Sequence, residues 1–239
     1  MNAQSEIRNQ KSEIRNPMIT TLDEEDAPPV SYADLDAFAK ARVRDRRRPD
    51  FPEEGWDEFI KEDWIEKIEA AGFADVKIRY SGFCCQGDGA SFTGRITGIA
   101  LPEDLLARLR TAAQVEYAIR VLTGTAKNWD SPESIANDWE PQIYEAKIDS
   151  HDHHYCHAYT ISASIDIRHN PDDLPYELAR DIDNWIDEQD GLWTEKARDL
   201  SLDLYNALET AYWLEISDES LDDRLAEEDT LYTPDGEEV

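Results

Sequence analysis

Residues 82–92 read Gly-Phe-Cys-Cys-Gln-Gly-Asp-Gly-Ala-Ser-Phe. Glycines on either side of Asp88 permit positive φ and would turn successive backbone N–H groups toward an anion, forming a nest. Gln86, Asp88 and Ser91 add polar side chains beside Gly87 and Gly89, so these five residues are binding candidates. The pattern is neither a Walker loop nor a dinucleotide fingerprint, and a Gly-rich hairpin loop accounts for the same residue types. Cys84 and Cys85 are adjacent, so on a strand they would point to opposite faces, which does not favour joint chelation of one metal.

A second cluster is His151-Asp152-His153-His154-Tyr155-Cys156-His157, which holds four of the five histidines, with His169 the fifth. On an extended strand His151, His153, Tyr155, His157 and Tyr159 would share one face, continuing as Ile161, Ala163, Ile165 and Ile167 on the core side. His151, His153, Tyr155 and His157 are therefore binding candidates. The imidazoles His151, His153 and His157 are the candidate ligands of a divalent metal such as Zn. Against that, strand neighbours two residues apart stand about 7 Å from each other, too far to share an ion without bending. No Glu sits at a metalloprotease or deaminase offset, and there is no Gly-x-Ser-x-Gly elbow or Cys–His protease pattern. Carboxylates are too abundant for any one pair to single itself out.

Both clusters need elements to hold them. Val76, Ile78 and Tyr80 alternate with Asp75, Lys77 and Arg79, and Phe92, Gly94, Ile96 and Gly98 alternate with Thr93, Arg95 and Thr97, the period of half-buried strands. The stretch 81–91 then connects two antiparallel strands. Ile143–Ile148 and His153–Arg168 read as a second strand pair. Trp56, Ile60, Trp64 and Ile68 at i, i+4 spacing predict an amphipathic helix closed by Gly72. A further helix starts near Pro102, with Glu103 and Asp104 in its first turn and Leu105, Leu106 and Leu109 inward. Residues 124–141 read as a long loop with some helix. Leu178, Ile182, Trp185 and Ile186 predict one late helix and Leu200, Leu204, Leu208 and Tyr212 another, parted near Gly191. The expected fold is α+β: about four antiparallel strands packed against several helices, with a helical C-terminal third.

At the N-terminus Ser-Glu-Ile-Arg-Asn recurs at 5–9 and 12–16. This repeat suggests that 1–17 lie upstream of the true start at Met18, within a disordered extension over 1–30. A single domain is expected over 31–216 and an acidic tail over 217–239. Ser31 and Asp34 resemble a capping pair, with Leu35, Phe38 and Ala39 as the apolar stripe of a short helix. That helix would end in Arg42, Arg44, Arg46, Arg47 and Arg48. The run is either a solvated helix end that suits the helix dipole, or a contact with the chain's own acidic half or a partner.

The chain has 239 residues, seven Trp, and 54 Asp+Glu against 24 Lys+Arg, for a net charge of −30. So many large rings imply a packed core despite the charge. From Pro171 onward 23 acidic residues face four basic ones, a net of −19. Such a chain is ill suited to bind nucleic acid or anionic membranes directly, since both need clustered Lys and Arg. Three Cys do not make a disulfide framework, and no apolar span or signal peptide is visible, so a cytoplasmic protein is expected.

The segment Ser-Gly-Phe-x-x-Gln-Gly-Asp-Gly-Ala-Ser-Phe at 81–92 resembles one in a group of small acidic proteins from phages and mobile elements, some with an antitoxin-type label. The His-x-x-Tyr-x-His cluster is similar to their second signature. Leu204-Tyr205, Leu208-Glu209, Tyr212, Ser217-Asp218-Glu219, Tyr232 and Asp235-Gly236 resemble the end of those chains. Where the group tends to carry an aromatic and a Ser, this chain has Cys84 and Cys85. The resemblance implies one shared site for 81–92 and 151–157, and no reaction.

The sequence favours a non-enzymatic, antitoxin-like inhibitor or defence and counter-defence factor. Its acidic helices would engage a basic, nucleic-acid-binding protein surface by mimicking phosphates. It needs no cofactor on this reading and is compatible with self-association. One alternative is a metal-dependent hydrolase or ligand-binding enzyme built on the Gln86–Gly89 loop and the histidines; another is a scaffold subunit docking through the Trp-rich helix at 56–68. Whether Asp88 and His157 share one cleft separates a built site from a purely acidic surface.

Overall fold

The period-2 segments pair as their pattern predicts. In the computed structural model, which describes residues 28–151, 155–168 and 174–239, strand β2 (Phe73–Tyr80) runs antiparallel to β3 (Ala90–Ile96), with Ile78 opposite Phe92. Strands β4 (Gln142–Ser150) and β5 (Ile161–Arg168) form the second pair, with Ile148 opposite Ala163. β3 joins β4 through Gly94 and Ile148, giving an antiparallel sheet in the order β2-β3-β4-β5. The protein is α+β. His153, His154 and His169, and the repeat at 5–16, lie outside the described residues.

Two compact units divide the described residues: those of 28–51 with 216–239, and those of 52–215. In the larger one, helix α2 (Glu58–Ala70) lays Ile68 into a core with Phe73, Phe92, Ile96, Ile148 and Ile161. Helix α3 (Glu103–Thr123) and the short α4 (Pro132–Trp139) build a second core from Leu105, Leu109, Ile135 and Trp139. α4 begins in a capping box in which Ser131 and Ser134 exchange side-chain-to-backbone bonds of 2.9 and 3.0 Å.

Helix α5 (Tyr176–Glu215) is the spine of this unit. It is one helix of 40 residues rather than two parted at Gly191. An interior glycine weakens a helix by about 1 kcal/mol but does not end it when the buried stripe continues. Here the stripe runs on: Leu178 and Ile182 serve the α3/α4 core, Ala197 the sheet, and Leu204 and Leu208 a third cluster with Ala90. α5 also satisfies the outer edge of the sheet. Thr194 Oγ accepts the N–H of Ala163 at 2.8 Å and Asp190 accepts that of Ile165, so the free edge of β5 is covered.

In the smaller unit, Val30–Ser31 (β1) pairs antiparallel with Leu231–Tyr232 (β6). Helix α1 (Ala37–Arg47) is capped by Asp36, which accepts from Phe38 and Ala39, while Ser31 instead bonds Asp34 one turn earlier. Leu35 and Ala39 are buried as expected, but Phe38 faces outward. Residues 217–239 are not a tail: α6 (Asp218–Glu227) buries Leu221 and Leu225 completely, and Tyr232 packs edge-on to Tyr32. The arginine run supplies the counter-charge. Arg44 bonds Asp222 at 2.7 Å and Arg48 bonds Asp218 at 2.6 Å, while Arg46 bonds Glu237 at 2.8 Å. Arg47 grips both oxygens of Glu228 at 2.9 and 3.0 Å. Of the two readings of that run, the contact with the chain's own acidic half is the one observed. No helix among the described residues is long and apolar enough to cross a membrane.

Candidate functional site

The loop 81–89 is pinned from inside. Ser81 N–H donates to Gly89 O and Asp88 N–H to Cys85 O, both at 3.0 Å. Asp88 Oδ2 accepts the N–H groups of Cys84 and Cys85 at 2.7 and 2.6 Å. The backbone donors that an anion nest would offer are therefore filled by the loop's own carboxylate. Nor do Gly87 and Gly89 take positive φ. Their lack of a side chain serves close approach instead. A Cβ at Gly87 would stand 2.6 Å from the ring of Tyr155, and one at Gly89 would strike Cys156 O and reach 2.5 Å from His157 Cβ. Phe83 anchors the loop from the other side, with ring centroids 4.9 Å from Tyr212, 5.6 Å from Tyr205 and 5.8 Å from Tyr80.

In the described part of the histidine segment, Tyr155–His157 are not the start of a strand. β5 begins at Ile161, and residues 158–160 form a single 3₁₀ turn capped by His157. His157 Nδ1 accepts the N–H of Tyr159 at 3.1 Å, and Thr160 Oγ1 returns to His157 O at 2.8 Å. Because Nδ1 accepts, the neutral ring carries its proton on Nε2, and the ring enters its surroundings as a donor. This turn breaks the alternation that would have aligned His151, Tyr155, His157 and Tyr159 on one face. His151 stays at the end of β4, its N–H on Thr160 O at 2.9 Å and its Nε2 against Ser162 Oγ. Of the candidate metal ligands, His151 and His157 use ring nitrogens on protein partners, and His153 lies outside the described residues. Among the described residues no group of three or more His, Cys, Asp and Glu is arranged to hold a metal ion.

What the two motifs do share is a cavity of about 260 Å³ against α5. Gln86, Asp88, Gly89 and Ala90 form one wall, His157, Ala158 and Tyr159 the other, and Ser201, Leu202 and Tyr205 the base. Asp88 and His157 therefore line one cleft. Of the candidates, Gly87 and Tyr155 brace the wall without lining the cavity, Ser91 lies within β3, and His151 is elsewhere. Shallower depressions of about 430 and 490 Å³ occur by α3 and beside β3 and β4, but none of the residues that line them carries a buried polar atom lacking a partner.

The base of the cavity supplies residues that motif reasoning missed. Ser201 is fully buried, and its Oγ has no hydrogen-bond partner. An unmet buried hydroxyl is costly, so its presence calls for a reason. The signal was present in the sequence: Ser201 stands in the otherwise apolar stripe Ala197, Leu204, Leu208. Burial pushes the Tyr205 hydroxyl pKa up, and the charges of Glu209 and Asp88 push in the same direction. Arg198 sits over the ring of Tyr159, 5.9 Å from its centroid.

The class defined by these features is an α+β protein with a small, partly polar cavity where a Gly-rich loop and a capped turn meet a long helix. The chain belongs to the family described as Domain of unknown function (DUF8835), whose model matches residues 56–218 and so spans both motifs and the cavity. No curated protein and no solved structure matches the chain.

Proposed function

We propose that the protein is a ligand-binding protein whose site is the cavity between Gln86–Ala90, His157–Tyr159 and Ser201–Tyr205. The observation that carries this reading is Ser201: a fully buried hydroxyl without a partner, at the base of a cavity walled by both sequence motifs. Polar groups converging on a largely apolar cavity are what small-ligand sites provide, and about 260 Å³ lies near the small end of their usual range. Binding is favoured over hydrolysis by what the polar groups already do. Asp88 is engaged by its own loop, and His157 presents a donor rather than a base. The test is a thermal-shift series on the full chain with small polar metabolites, repeated on Ser201→Val. Saturable stabilisation of the wild type that the variant lacks supports the site; stabilisation of both to the same extent, or of neither, counts against it.

A second reading, the acidic protein that engages a basic protein surface, is favoured by α5. This helix carries eleven acidic residues against three basic ones, and Glu195, Asp199 and Asp203 are exposed at successive i, i+4 positions. Their carboxylates lie about 6 Å apart along the axis, a like-charge ladder that weakens the helix slightly and so points to an outside partner. The C-terminal segment contributes less to this reading than its charge suggests, since Asp218, Asp222, Glu228 and Glu237 are paired with arginines. A basic partner captured at low salt, released by salt and lost on Asp199→Lys/Asp203→Lys supports this reading. Capture unaffected by that double substitution removes it.

A further inference from the structure

The chemical class of the ligand follows from the charges around the cavity, taking the reading of that cavity as the binding site as given. Among the described residues that line it, Asp88 is the one carboxylate, and none is a Lys or Arg. His157 has its Nδ1 occupied by the N–H of Tyr159. The walls otherwise offer the rings of Tyr159 and Tyr205 and the side chains of Ala90, Ala158 and Leu202. An anion entering here would meet the Asp88 carboxylate, while the cation Arg198 is already seated over the ring of Tyr159, so charge on the wall itself is against it. A cation would gain the Asp88 charge and the neighbouring rings of Tyr159 and Tyr205. Tyr159 already accepts one cation, Arg198, on its ring, which shows that this ring takes a guanidinium.

The geometry points to a small organic cation, an amine or guanidine, as the ligand. Its charge sits between Asp88 and Tyr205, and Ser201 Oγ gains the hydrogen bond it lacks. The same chemistry could be delivered by a free molecule or by an Arg or Lys side chain of a bound protein, and the two sources are separated below. Burial is the main cause of the raised Tyr205 hydroxyl pKa, and the charges of Glu209 and Asp88 add to it at this end of the cavity.

The test is a calorimetric titration of the full chain with benzamidine and with benzamide, which match in shape and differ in charge. Agmatine and the blocked tripeptide Gly-Arg-Gly separate the two sources, and glutarate and phosphate serve as anions. Benzamidine is expected to bind at least ten-fold more tightly than benzamide and to shift the backbone amide signals of Ser201 and Tyr205. Asp88→Asn keeps an oxygen for the N–H groups of Cys84 and Cys85. It should weaken benzamidine about ten-fold and leave benzamide unchanged. Ser201→Val should weaken both. Tighter binding of agmatine assigns the cation to a free molecule, and tighter binding of the tripeptide to a protein side chain; either supports the class. If benzamide or an anion binds as well as benzamidine while Ser201→Val abolishes it, the cation class is wrong and the site stands. If no probe moves the Ser201 and Tyr205 signals, the site itself fails and the cation class with it.

Discussion

Gly89 and His157 are in such close approach that a Cβ at position 89 would lie 2.5 Å from the Cβ of His157 and also meet the carbonyl of Cys156. The backbone conformation at Gly89 does not itself demand glycine; the neighbour does. This contact seats the Gly-rich loop on the capped turn, and the cavity exists because the two meet. Gly89→Ala should therefore force the loop and the 156–157 backbone apart, at a cost of about 1 to 3 kcal/mol, the range for overpacking. Denaturant unfolding measures that loss. Cys156, buried in the wild type, should then become reactive toward a thiol reagent, and an unchanged Cys156 rate would show that the loop had accommodated the methyl without opening.

Ser201 predicts the opposite sign. A buried hydroxyl with no partner destabilises the empty protein, so Ser201→Ala should leave stability unchanged or raise it by about 1 kcal/mol. The same substitution should weaken whatever the cavity holds. A clear loss of stability in the ligand-free variant would mean that Oγ has a partner after all.

How much of this was legible in the sequence depends on whether the cause was local. The pairing of β2 with β3 follows from the alternation at Val76–Tyr80 and Phe92–Ile96, because a strand's period is set by its own residues. The site was half legible. Gly87, Asp88, Gly89 and His157 stand out by type, but the reason for the glycines lies in Tyr155, Cys156 and His157, some 70 residues away. The turn at 158–160 was hidden because residues 155–167 alternate well enough for a strand, and the run is broken by bonds that His157 makes to Tyr159 N–H and to Thr160. The arginines at 42–48 read as charge without an address until Asp218, Asp222 and Glu228 came back to meet them from 170 to 181 positions further along the chain.

Those arginines carry a third prediction. Arg47 makes a two-pronged contact with Glu228 and a further bond to Glu238 at 3.1 Å, and the pairing with Glu228 raises its already high pKa further, against the effect of burial. Bidentate, partly buried pairs are among the stronger ion pairs, so Arg47→Ala should cost the small unit about 1 to 3 kcal/mol. Limited proteolysis is the direct measure. Cleavage after 228 should accelerate in the variant, and in the wild type at raised salt to a smaller degree. Equal cleavage rates in the two proteins would mean that the apolar contacts of Leu225 and Tyr232 hold the segment alone.

Asp190 gives a dependence on pH. Burial raises its pKa above the ordinary carboxylate value, Asp187 and Asp166 add to the rise, and the bond from Ile165 N–H offsets only part of it. A carboxyl whose pKa is higher in the folded than in the unfolded state favours folding only while it stays protonated. That contribution is complete below the unfolded pKa and is lost as pH rises through the folded one. At pH 7 the ionised group therefore weighs against the fold. Asp190→Asn, which keeps an acceptor for Ile165, should raise the melting temperature at pH 7, with the gain shrinking toward pH 4 and below. A gain that is the same at both pH values would locate the effect in packing rather than in charge.

Gly191 offers the simplest check on the continuity of α5. It sits in mid-helix without positive φ, and an added Cβ would meet nothing within 4 Å. Alanine there removes the conformational freedom that glycine gives the unfolded chain and adds no clash, so Gly191→Ala should stabilise the larger unit by about 0.5 to 1 kcal/mol. If the chain instead broke into two helices at this point, the residue following the first would favour a left-handed glycine, and alanine would destabilise by a similar amount or more. The sign of the change in denaturation midpoint therefore distinguishes one 40-residue helix from two. The distinction reaches the cavity, because Thr194 and Asp190 tie this part of α5 to β5, while Ser201 and Tyr205 extend from the same rigid rod to the base of the site.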